Sequence, residues 1–85
     1  MNIEYSPKFF RMYKKLSKDV KKLVEEKIEI FGKNPFDVRL KTHKLSGALR
    51  DYWSFWINQK YRITFVFWDS ETARFHSVGD HDIYQ

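Results

Sequence analysis

Eighty-five residues without a single cysteine suit one domain with one core, and they exclude disulfides and thiolate metal sites. An apolar fraction of 42% with 32% charged residues describes a globular chain, and 19% aromatic residues give a small core bulky side chains. Sixteen Lys and Arg against eleven Asp and Glu leave a net charge of +5, which favours a polyanion or an acidic protein as partner. The polar start M-N-I-E-Y-S-P and the lack of any long apolar run suggest neither a secretory leader nor a membrane span, so the cytoplasm is the expected compartment.

In chain order, residues 2–5 read as a short strand. Ser6 and Pro7 then supply a helix cap followed by a proline suited to the first helical position. Phe9, Met12 or Tyr13, and Leu16 recur at helical spacing. Ser17 opens a second predicted helix that runs to about Phe31, with Val20, Leu23, Val24, Ile28 and Phe31 as its buried stripe. Gly32 is expected to close it in a left-handed turn, and Asn34-Pro35 begins a loop.

From Leu49 the period changes to two. Trp53, Phe55 and Ile57 alternate with Tyr52, Ser54 and Trp56, and after Asn58-Gln59-Lys60 the residues Tyr61, Ile63, Phe65 and Phe67 alternate with Arg62, Thr64, Val66 and Trp68. A second turn over 69–72 leads into a last strand over about 73–78. The expected fold is α+β: an N-terminal strand and a two-helix hairpin packed on one face of a three- to four-stranded antiparallel sheet.

That alternation sends Arg62 to the face away from the helices if Ile63, Phe65 and Phe67 face them. Nearby in sequence, the run from Arg39 to Arg50 holds four Lys or Arg, one His and no acid. It is either a solvated loop or a phosphate-binding rim, in which Lys41, Lys44 and Arg50 neutralise a nucleic-acid backbone and Tyr52, Trp56 or Trp68 stack bases. The ending H-S-V-G-D-H-D-I-Y-Q is either a solvated tail or a site: Gly79 permits a bend, and His81 exchanges protons near neutral pH. His43, His76 and His81 lack metal-ligand spacing, and there is no glycine-rich phosphate loop, no G-x-S-x-G and no paired acidic cluster for magnesium. No metal and no cofactor are expected. What remains is metal-free chemistry on a phosphodiester, for which RNA brings its own 2′-hydroxyl nucleophile and the protein need supply only a base, an acid and positive charge.

Over nearly its whole length the chain resembles the RelE/ParE superfamily of type II toxins, on the YafQ and YoeB side. The resemblance rests on I-E-Y-S-P-K-F-F-R-M-Y-K-K-L, N-P-F-D-V-R-L-K-T-H-K-L-S-G-A-L, Y-R-I-T-F-V-F and V-G-D-H-D-I-Y, taken in that order. It implies a single RelE-like domain over residues 1–85 that cuts messenger RNA on the ribosome and is held inactive by an acidic, DNA-binding antitoxin. By the same resemblance, His43 in H-K-L-S-G and His81 in G-D-H are catalytic histidines, Arg62 in Y-R-I binds the phosphate, and Tyr84 orients the substrate. Arg39, Lys41, Lys44, Arg50 and Trp56 are the expected RNA contacts. The chain departs from the pattern where YafQ-like members carry a further histidine and aspartate: Trp56 and Lys60 stand there, and no glutamate occupies the position that YoeB-like members use as a base. A ParE-like inhibitor of DNA gyrase without hydrolysis is the alternative, as is an inactive nucleic-acid-binding or antitoxin-binding module.

Overall fold

The fold is given by a computed structural model that describes residues 1–80. Strand β1 (Asn2–Tyr5) is followed by helices α1 (Pro7–Lys14) and α2 (Lys18–Lys33). Then come strands β2 (His43–Lys44), β3 (Trp53–Trp56), β4 (Tyr61–Phe67) and β5 (Thr72–Asp80), with short 3-10 turns at Val38–Leu40 and Gly47–Leu49. The strands form one sheet in the order β1-β5-β4-β3-β2. The expected α+β layout holds, with two additions that no local pattern announces. The two-residue β2 makes a fifth strand, and β1 runs parallel to β5 rather than antiparallel, pairing Asn2 with Thr72 and Tyr5 with Phe75. No helix among the described residues is long and apolar enough to cross a membrane.

Both helix starts follow from their serines. Ser6 has extended backbone and its hydroxyl accepts from the Phe9 amide at 3.0 Å, with Pro7 beginning the helix. Ser17 does the same for Val20 at 3.2 Å. Ser6 is also tied across the sheet, since its amide donates to the Phe75 carbonyl at 3.0 Å and its hydroxyl to the His76 carbonyl at 2.7 Å. The His76 carbonyl belongs to a β-bulge. Thr64 pairs with Ser77 and Phe65 with Phe75, which leaves His76 as the extra residue on β5.

Gly32 does not close α2. It lies inside the helix, which continues to Lys33 and stops at Asn34, where the backbone turns extended (φ −157°, ψ 103°). The cause is the following proline, which disfavours the helical conformation in the residue before it; the Asn34 side chain then accepts from the Phe36 amide at 3.0 Å. A methyl group at position 32 would meet no atom within 4 Å. Gly32→Ala is therefore expected to raise the unfolding free energy by about 0.5–1 kcal/mol, read as a higher midpoint in urea at unchanged slope.

The helices cover one face of the sheet. Phe31 of α2 stacks on Phe55 of β3 at 5.0 Å and meets Phe65 of β4 and Phe75 of β5 edge-on at 5.0 and 5.1 Å. Phe9 of α1 and Leu40, Ile57, Ile63 and Val78 complete the buried core. Of the expected α2 stripe, Val24 and Phe31 are fully buried, whereas Val20, Leu23 and Ile28 are half-covered. Each fully buried phenylalanine contributes about 1.5–3 kcal/mol over its exposed state.

Candidate active site

The face away from the helices is organised in rows, because residues paired directly across strands point to the same side. One row runs His43–Ser54–Thr64–Ser77 from β2 to β5, and the next runs Trp56–Arg62–Gly79. Successive rows along a strand are about 7 Å apart. Thus His43 and Arg62, distant in sequence, stand on one face in neighbouring rows.

Arg62 is not a solvated strand arginine. Only 9% of it is exposed, and its Nη1 donates to the Tyr61 carbonyl at 3.1 Å and to the Asn58 carbonyl, both in the β3–β4 hairpin. The guanidinium lies over the Trp56 ring at 4.0 Å, and the Lys41 ammonium lies over the same ring at 4.1 Å. Both cations thus engage the same Trp56 ring. Each contact of this kind is worth about 0.5–1 kcal/mol. A guanidinium has five N–H donors, so the two carbonyls leave donors for a phosphate.

Lys41 reaches the ring through an unusual backbone. It is the one non-glycine residue with positive φ (52°) among the described residues, at the end of the Val38–Leu40 turn. The same conformation aims its carbonyl at His43, whose Nδ1 lies 2.9 Å away. A carbonyl only accepts, so Nδ1 carries a proton, and in the neutral ring Nε2 keeps its lone pair for accepting a proton from a substrate. His43 itself is exposed.

The other expected contacts divide. Arg50 is exposed at the end of the Gly47–Leu49 turn. Lys44 pairs with Trp53, whose ring packs against Phe67 at 5.4 Å, so it stands on the helix side of the edge strand and not beside His43. Arg39 is engaged elsewhere: its Nε and Nη2 donate to the two carboxylate oxygens of Asp37, both at 2.9 Å, beside α2. This fork holds the Asp37 carboxyl down at about 2, mainly through hydrogen bonding. His81 and Tyr84 lie outside the described residues. Among those residues no three His, Cys, Asp or Glu side chains gather as a metal site requires.

Sequence reasoning missed the Lys41 conformation and the two cations that share the Trp56 ring. Period-two alternation placed Trp56 and Arg62 on one face, but their direct pairing depends on hairpin register. An imidazole base and a fixed guanidinium on one face can, respectively, take a proton from a hydroxyl and stabilise charge on a phosphate.

No protein-family model and no curated relative matches the sequence. Solved structures do match. The fold is similar to that of YafQ from E. coli, with a TM-score of 0.80 at 20% identity over 98% of this chain and 96% of that one. It is also similar to a YoeB/ParE toxin from Agrobacterium tumefaciens, with a TM-score of 0.78 at 18% identity over 95% and 99% of the two chains. The toxin chain of the YoeB-YefM complex from Staphylococcus aureus shares 27% identity over 95% and 97%, with a TM-score of 0.75.

Proposed function

We propose, on the premise that the chain belongs by its fold to the RelE/ParE toxin superfamily, that it is the toxin of a type II toxin-antitoxin pair and a metal-independent endoribonuclease of messenger RNA. The observation that carries this reading is the Arg62–Trp56–Lys41 cluster beside a histidine whose Nε2 is free to accept a proton. In this reading His43 and His81 exchange the protons, Arg62 stabilises the phosphorane, and Tyr84 orients the substrate. Lys41, Trp56 and Arg50 flank the RNA; Arg39, committed to Asp37, is left out of that rim. The cut leaves a 2′,3′-cyclic phosphate or a 3′-phosphate and a 5′-hydroxyl. A cognate antitoxin is its partner, a reading supported by the similarity to toxins found in complexes named YoeB-YefM and DinJ-YafQ; an acidic segment suits the net charge of +5.

Producing the chain without its antitoxin is expected to arrest growth by stopping translation. Metabolic labelling reads this directly: amino-acid incorporation stops while DNA synthesis continues. Early loss of DNA synthesis would instead support the ParE-like reading, gyrase inhibition without hydrolysis, and would end the nuclease reading.

A further inference from the structure

We propose that a groove on the same sheet face, bounded by Tyr52, Trp68, Arg74 and His76, is a second nucleobase subsite that holds a base of single-stranded RNA away from the bond being cut. The proposal rests on the ribonuclease reading above. The groove encloses about 320 Å³, at the small end of the range of ligand pockets. It sits at the end of β4 opposite to Arg62: Val66 in its floor is four residues along the strand, about 13 Å away. A base lodged here therefore belongs to a different nucleotide from the one whose phosphate meets Arg62.

Its walls are aromatic and held in place. The Tyr52 and His76 rings lie 5.2 Å apart, and His76 is set there by the β5 bulge whose carbonyl Ser6 holds. Trp68 is 60% exposed, yet its indole N–H donates to Glu4 at 3.1 Å, and the same carboxylate oxygen pairs with Arg74 at 3.5 Å. An exposed indole pinned in one orientation is a stacking platform that loses little freedom on binding.

Charge selects the occupant. Glu4 is already engaged by Arg74, whereas burial together with the nearby Lys8 and Arg74 cations pushes the His76 imidazole below its ordinary value. The ring thus favours its neutral form, suited to stacking, and beyond the Glu4–Arg74 pair the nearby Lys8 cation suits a phosphate backbone.

The test is binding of 2′-O-methyl RNA, which lacks the free nucleophile, in lengths from dinucleotide to octanucleotide, read by fluorescence anisotropy. Trp68→Ala is expected to weaken the octanucleotide about tenfold and leave the dinucleotide unchanged, with Trp68→Phe restoring most of the loss. Arg62→Ala should weaken both lengths. If Trp68→Ala binds the octanucleotide as tightly as the natural protein, the subsite is wrong while the ribonuclease reading stands. If the natural protein binds no length at all, the subsite is overturned, and the ribonuclease reading stands or falls by cleavage on translating ribosomes. If N-acetyltryptophanamide binds saturably, loses that binding in Trp68→Ala, and RNA affinity is unchanged, the groove takes an aromatic anchor from a protein and the proposal is overturned.

Discussion

Arg62→Lys is expected to slow messenger cleavage on translating ribosomes by about 10²-fold or more while leaving the thermal melt close to that of the natural protein. The charge survives this change, but the planar fork does not. In the folded protein the guanidinium is oriented before any substrate arrives, by the Tyr61 and Asn58 carbonyls on one nitrogen and by the Trp56 ring, whose centre lies 4.0 Å away. A lysine ammonium in its place would have to satisfy the carbonyls and the phosphate from one point. Alanine is a poorer probe, because two hairpin carbonyls would lose their donor, a loss that costs about 1–3 kcal/mol where the group is buried. An Arg62→Lys protein that cleaved at the natural rate would show that positive charge alone suffices and that the preorganised fork plays no part.

His81→Ala is expected to reduce cleavage by about 10²–10⁴-fold, the usual worth of one positioned proton transfer, with antitoxin binding and folding retained. The argument is chemical. Transesterification by the 2′-hydroxyl needs one group to take that proton and another to protonate the departing 5′-oxygen. His43 has a lone pair at Nε2 for one of these tasks. The second histidine of the expected pair, His81, takes the other. Losing it should remove one limb of the bell-shaped dependence of rate on pH, and EDTA should leave the natural protein's rate unchanged. Activity abolished by EDTA, or near-normal cleavage by the alanine variant, would sink this assignment.

Much of the frame was legible because it is written in local chemistry. Ser6-Pro7 and Ser17 start helices by capping, and the period-two runs after Leu49 divide core from far face, so that of Ile63, Phe65 and Phe67, read as facing the helices, the first two are fully buried and the third packs partly buried against the core. What escaped depends on partners far along the chain. The parallel pairing of β1 with β5 joins residues about seventy positions apart, and nothing in N-I-E-Y specifies it. Gly32 misled because a glycine near a helix end suggests a left-handed turn, yet the proline two residues after Lys33 was the stronger constraint. Lys44 was grouped with Lys41 by composition alone, whereas the pairing of β2 with β3 puts it on the opposite face from His43. The far-face row holding Glu4 and Arg74 likewise depends on register, which is set between strands and is not visible within one.

The place of β5 in the sheet has a bearing on the order of events during synthesis. β5 lies between β1 and β4, yet among the described residues it is the last strand to be made. Until it emerges from the ribosome, β1 has no strand to pair with and the β2-β3-β4 ladder has an open edge, although Phe31 of α2 can already pack on Phe55 and Phe65. Ser6 has no His76 carbonyl to bind, and Phe31 lacks one of its three aromatic partners. Closing contacts of such long sequence separation come late in folding. The described sheet is therefore completed only once β5 has been made and has left the ribosome.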